Sequence, residues 1–229
     1  MVHNNRNGRS RDVAAGGVTS IDQDQSGPDE HRRVIQAHYD DETIVVYQAY
    51  SDVIADAALT SGKFVPPFSL NRMTWIKTSL LWMAFRSGWA TKDGQTRILA
   101  ITVSRDGFDW ALAHSCLTHY DAVVHGTPDE WTGLLRSCSV RVQWDPERDI
   151  NLDPLPTRAI QIGLAGEAAS RYVNDWTREI VDITSRVRAI SEQVQGGNTA
   201  LARSLLPVTR PYSLRAGVLR RIGCNEATS

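Results

Sequence analysis

Apolar positions along the chain fall into short runs with two different periods. "TIVVYQAY" (Thr43–Tyr50) and "RILAITVS" (Arg97–Ser104) are nearly continuous β-branched and aromatic runs, the composition of buried strands. "SVRVQWD" (139–145) alternates apolar with polar and "RAIQIGL" (158–164) resembles it, which predicts two more strands. Helical spacing marks "SDVIADAALTSG" (51–62), with Val53, Ile54, Ala57 and Ala58 on one side, Ser51 as N-cap and Gly62 as stop. "RDGFDWALAHS" (105–115) reads as a short helix. In "TPDEWTGLLRSC" (127–138), Thr127, Pro128 and Glu130 spell a capping box with proline in the first turn. Residues 71–88 place Trp75, Leu81, Trp82 and Phe85 at helix-compatible spacing up to Gly88, and 166–190 is the longest helical pattern of all. "KFVPPFS" (63–69) is an irregular turn, because Pro66 and Pro67 remove two backbone donors. Past Gly196 and Gly197 come a short helix and a proline-punctuated tail. Strands and helices do not alternate strictly, which favours α+β over a doubly wound sheet.

Residues 1–27 carry few large apolar side chains and read as a disordered tail; 28–212 form one domain; 213–229 read as a flexible basic tail. The 229 residues are enough for a real core, and a net charge of −1 supplies no overall field toward nucleic acid or membrane, so any such partner must meet a local patch. Only Lys63, Lys77 and Lys92 are lysines; the other cations are Arg, as GC-rich coding produces. The three cysteines, Cys116, Cys138 and Cys224, are too few and too scattered for a disulfide scaffold or a cysteine zinc site. No apolar run approaches the roughly 20 residues that span a bilayer, and the start of the chain lacks the apolar stretch of a signal peptide, so a cytoplasmic protein with no membrane partner is expected.

Chemistry concentrates in a few places. Trp75, Trp82 and Trp89 recur every seven residues beside Arg72, Lys77, Arg86 and Lys92. The spacing alone describes a core-facing helix, but so many cations suit an anionic ligand, with the rings as a stacking surface. "HSCLTHYDAVVH" offers His114, Cys116, His119, Asp121 and His125, in no spacing that matches a zinc pattern, and no metal is expected. "QIGLAGEAA" puts Gly163 and Gly166 between strand and helix, where backbone N–H groups can meet an anion or simply make a tight turn. "VRVQWDPERD" sets Asp145, Glu147 and Asp149 at a strand end, either as a charged turn or as acid–base groups.

At "YDDETIVVYQAYSDVIADAAL", "FVPPFSLNRMTWIKTSLLWMAFRSGWATK", "GFDWALAHS", "VRVQWDPERD", "RAIQIGL" and "LLPVTRPY" the chain resembles a bacterial and fungal family, domain-of-unknown-function family 4291, across 32–212. More faintly it resembles the ADP-ribosyltransferase superfamily. That resemblance implies a split mixed or antiparallel sheet flanked by helices, with NAD bound as substrate in the split. Glu147 would be the catalytic carboxylate that steadies the ribose as nicotinamide leaves. Gln48 stands at the other catalytic position, where the superfamily carries Arg or His. Tyr47, Tyr50 and Trp75 would stack on nicotinamide, and Arg72 and Lys77 would hold the pyrophosphate. The implied activity is transfer of ADP-ribose from NAD to a nucleic acid or nucleotide. Two alternatives stand beside it: a non-catalytic RNA- or nucleotide-binding module using the same rings and cations, and a metal-dependent RNA-processing enzyme using Asp145 and Glu147.

Overall fold

The computed structural model describes residues 32–224. The β-branched runs form a seven-stranded sheet. Its strands are β2 (Thr43–Tyr50), β3 (Thr74–Lys77), β4 (Arg97–Ser104), β5 (Ser115–Leu117), β6 (Val140–Arg148), β7 (Pro154–Leu164) and β8 (Thr177–Asp182). Their spatial order is β5-β6-β7-β3-β2-β4-β8. All neighbours run antiparallel except β5 and β6. A separate two-stranded sheet pairs β1 (Gln36–Ala37) with β9 (Arg210–Pro211). Among the described residues the α-helices are α1 (Asp52–Ser61), α2 (Leu80–Ser87), α3 (Arg105–Ala113), α4 (Pro128–Ser137), α5 (Gly166–Arg171), α6 (Thr184–Gln195), α7 (Thr199–Ser204) and, after β9, α8 (Ala216–Arg221). The result is a single α+β domain with a mixed sheet.

The central strands are apolar on both faces because helices cover both. One face packs Ile44, Val46, Ile76, Ile101 and Ile162 against Ala55, Phe108 and Tyr172; the other packs Tyr47 and Ile98 against Leu80, Met83, Val187 and Ile190. Local signals behave as the sequence predicts in several places. Gly62 and Gly88 end α1 and α2 at φ 67° and 58°, the left-handed region that only glycine enters without cost. The capping box of α4 forms: Glu130 N donates to Thr127 Oγ1 at 3.2 Å, and Thr127 N donates to Glu130 Oε2 at 2.7 Å.

Three expectations fail. Residues 71–88 are not one helix: Thr74–Lys77 is a strand, and α2 begins only after Ser79, whose hydroxyl accepts from Trp82 N at 3.1 Å. A serine N-cap and a β-branched run upstream of it outweigh the seven-residue tryptophan spacing. Trp75 is therefore on β3, Trp82 on α2, and Trp89 in a left-handed turn at φ 57° beyond Gly88. Nor is 166–190 one helix: α5 passes into a π-helical turn (Tyr172–Trp176), β8 follows as an edge strand on β4, and α6 begins at Thr184. The segment 213–229, read as a flexible tail, contains α8 in its described part; Ile222 is fully buried and its carbonyl accepts from Trp144 Nε1 at 2.8 Å. The expected disorder of 1–27 lies outside the described residues.

The break at Trp176 depends on Gly107 in α3. A methyl group at Gly107 would overlap the Trp176 indole. Gly107→Ala is therefore expected to destabilise the fold by about 1–3 kcal/mol, the cost of overpacking a filled core, although alanine is the better helix former. Urea unfolding checks this, and an unchanged or raised midpoint refutes it.

Candidate anion-binding cleft

The site arises where the sheet comes apart. β2 pairs with β4 along its whole length and β3 pairs with β7 at four positions, yet β2 and β3 align only at Tyr47 and Lys77. Beyond that pair, side chains replace the backbone ladder. Gln48 Nε2 donates to Thr74 Oγ1 at 2.7 Å and to Trp75 O at 3.1 Å, while Gln48 Oε1 accepts from the Tyr172 hydroxyl at 2.7 Å. The Tyr50 hydroxyl lies 3.1 Å from Thr74 Oγ1. Gln48, Thr74 and Tyr172 are all buried. A glutamine in mid-strand, flanked by apolar residues, is thus the pin that holds two diverging strands at a fixed separation.

Over this split lies a cleft of about 650 Å³, large enough for a nucleotide. Its walls bring together Gln48, Tyr50, Thr74, Trp75 and Lys77 from the strands, Trp82, Met83 and Arg86 from α2, and Arg72 from the preceding loop. Gly163, which the sequence offered as an anion-binding turn, instead lies in β7 opposite Trp75; a side chain there would press on Met73 Sδ and the Trp75 ring. Glycine at 163 leaves room for the Trp75 indole against the neighbouring strand.

Lys77 is the most unusual group of the cleft. It is 6% exposed, and its Nζ sits 4.9 Å from the centroid of the Trp82 ring. Burial pushes its pKa from 10.5 down to about 8; the Arg86 charge acts in the same direction and Asp145 acts against it. Lys77, Gln161 and Gln143 stand abreast on β3, β7 and β6. Both glutamines donate to one carboxylate, Gln143 Nε2 to Asp145 Oδ1 at 2.8 Å and Gln161 Nε2 to Asp145 Oδ2 at 2.5 Å. Trp82 lines the cleft, but its indole N–H is buried away from solvent and has no hydrogen-bond acceptor among the described residues.

Of the residues expected to bind the cofactor, Tyr50, Arg72, Trp75 and Lys77 line this cleft, as does Gln48, expected at a catalytic position. Tyr47 does not: it packs beneath α2 and α6 with Leu80, Met83 and Val187, and burial pushes its hydroxyl up to about 12. Glu147 does not line the cleft either. Its Oε1 accepts from Ser79 Oγ at 2.7 Å and from Arg148 N at 2.8 Å, so it braces the N-cap of α2, and burial raises its pKa. Along β6, Gln143 lines the cleft, Asp145 is held by the two amides, and Glu147 lies beyond the register shift between Pro146 and Arg148, where it meets Ser79. Asp149 accepts from Asn151 N and Asp153 N in the following turn, at 2.9 and 2.8 Å. The three acids of "DPERD" therefore have three separate duties. The histidine-rich loop is likewise dispersed: His114 Nδ1 lies 2.7 Å from Trp110 O, and Asp121 pairs with Arg33 at 2.8 Å. Among the described residues, no three His, Cys, Asp or Glu side chains gather as a metal site would require, and no helix is long and apolar enough to cross a membrane.

Sequence reasoning missed Gln143 and Gln161. Their signal was present: each is a polar residue in mid-strand within an apolar run, "VRVQW" and "AIQIG". Cross-strand register, which a single sequence does not state, is needed to see that they meet.

Fold and site together define a single α+β domain whose sheet splits to form a cationic, ring-lined cleft. The chain belongs to the family described as "Domain of unknown function (DUF4291)", whose model matches residues 34–212. No curated protein matches it.

Proposed function

We propose that the cleft binds a nucleotide, with its phosphates held by Arg72, Lys77 and Arg86 and a base or nicotinamide ring stacked on Trp75 or Tyr50. The observation that carries this reading is convergence. Cations and rings that come from a loop, two strands and a helix meet in one cavity of nucleotide size. Binding should be read by quenching of tryptophan fluorescence with ADP, NAD and a short RNA. Arg72→Ala and Arg86→Ala are each expected to weaken ADP binding by about tenfold, the usual effect of losing a charge-assisted hydrogen bond. Affinity for RNA should also fall steeply with salt as phosphate counterions are released. Binding that ignores both substitutions and salt would end this reading.

Transfer of ADP-ribose from NAD is the catalytic extension of the same proposal, and free nicotinamide is its assay. The position of Glu147 gives that extension less support than binding has, because the carboxylate braces α2 and does not face the cleft. Glu147→Gln is expected to leave ADP affinity within about threefold of the wild type, since the amide still accepts from Ser79 and the buried charge is removed. A drop in nicotinamide release in this variant, with binding retained, would return Glu147 to the reaction.

A further inference from the structure

Among the described residues Lys77 is the only amine at the cleft, and its surroundings are not those of a structural cation. Among the described residues no hydrogen bond or ion pair reaches its Nζ; the ring of Trp82 is its neighbour. Structural lysines elsewhere behave differently: Lys92 is exposed and donates to Arg86 O at 3.0 Å. The charged groups facing Lys77 are Arg86 of α2, Arg72 of the preceding loop, Asp93 beyond α2 and Asp145 of β6; Tyr47 of β2 and Gln161 of β7 complete its surroundings. Asp145 has both oxygens occupied by amides, so its charge is anchored beside the amine without a proton being shared. Burial and Arg86 bring the amine's pKa to about 8, which leaves part of it neutral and nucleophilic near that pH.

We propose that Lys77 condenses with the free C1 aldehyde of a phosphate-bearing sugar, of the ribose phosphate or ADP-ribose class, while Arg72 and Arg86 hold the phosphate. This deepens the nucleotide-binding reading and rests on it. The Nζ lone pair attacks C1, and the carbonyl π pair moves to oxygen, which takes a proton. The carbinolamine then expels water as the nitrogen lone pair forms the C=N bond. Counted from the ammonium and the aldehyde, the products are one iminium and one water, with no change of oxidation state. An iminium fits this position because it keeps the positive charge over the face of Trp82 and near Asp145, whereas an acyl or phosphoryl group on Nζ would discharge it.

The test is reductive capture. The protein is incubated with ribose 5-phosphate and sodium cyanoborohydride, and adducts are counted by intact mass and placed by peptide mapping. The chain has three lysines, Lys63, Lys77 and Lys92, which peptide mapping separates from one another and from the α-amine. Capture at Lys77 is expected to outrun that at Lys63 and Lys92, and to exceed capture of unphosphorylated ribose by about tenfold, as one phosphate contact would give. ADP should slow it, and its rate should level off above pH 8 where an exposed lysine continues to rise. Lys77→Arg, checked for folding by its urea midpoint, should give no adduct at position 77. Equal labelling of all three lysines, or of the exposed pair alone, overturns the proposal. If ADP binds the wild type but no adduct forms at Lys77, the amine is inert and the nucleotide reading stands. If Lys77 captures ribose and ribose 5-phosphate equally and ADP neither binds nor protects, both readings fall.

Discussion

Lys77→Met is expected to give a protein that is more stable than the wild type at neutral pH, by about 1–3 kcal/mol, and that has lost at least tenfold in nucleotide affinity. The reason is the cost of a buried ammonium without a hydrogen-bonded partner. Moving its pKa from 10.5 in the unfolded chain to about 8 in the fold corresponds to ~3 kcal/mol held against the native state. Methionine fills a similar volume without that cost but forfeits the contact of the charge with Trp82, which lowers the net gain. The pH dependence has a definite sign. Between pH 8 and 10.5 the unfolded chain holds a proton on Lys77 that the native protein has released, so the wild type gains stability from this group as pH rises through that window. Below pH 8 the penalty is present in full. Urea unfolding of both proteins at pH 7 and pH 9.5 checks it: the advantage of the variant should be large at pH 7 and should shrink at pH 9.5. A variant that is weaker at pH 7 would mean that the amine is a structural element of the core. A stabilising replacement that abolishes binding is the pattern expected where a cleft keeps a costly charge for its ligand.

Gln48→Leu should be the most damaging single change near the cleft, costing about 3 kcal/mol or more. The leucine fits the volume, but it strands the fully buried Tyr172 hydroxyl and the Trp75 carbonyl, and takes one partner from Thr74. Each buried polar group left unsatisfied costs about 1–3 kcal/mol. Because the same side chain holds β2 and β3 apart, nucleotide affinity should fall together with stability. Adding Tyr172→Phe removes one of the orphans and is expected to recover about 1 kcal/mol, so the pair is non-additive. Additive losses in that double-mutant cycle would show that Gln48 acts alone and that the network does not pin the strands.

Gln48 also shows how far a single sequence reaches. The reading that placed it at the site came from a family likeness. Its chemistry here, three hydrogen bonds that bridge a sheet split, depends on Thr74 and Tyr172, which lie 26 and 124 residues away in the chain. Glu147 shows the opposite case. Its place at the end of a strong strand was legible, and so was the proline before it, but the register shift between Pro146 and Arg148 that leads into its contact with Ser79 was not. Register depends on the partner strand, which a single stretch of sequence does not state. The tryptophan spacing of 75, 82 and 89 misled for a related reason: a period of seven fits a helix, and nothing local says that the first member belongs to a strand unless Ser79 is read as the cap that separates them.

By itself the sequence determined the elements whose causes are local. Continuous β-branched runs became β2 and β4; Ser51 and Gly62 bounded α1; Thr127 and Glu130 closed the box on α4; and the mixture of periods called for α+β. Those features depend on residues within a few positions of one another, where propensity, capping and turn geometry act. Only the tertiary structure decided that β2 and β3 part after one aligned pair, that Arg72, Lys77, Arg86 and Trp82 converge on the opening, and that Glu147 and Tyr47 turn away from it. Strand order and register are set by which apolar faces must be covered at once, a condition satisfied by residues far apart in the chain and therefore not written in any one stretch of it.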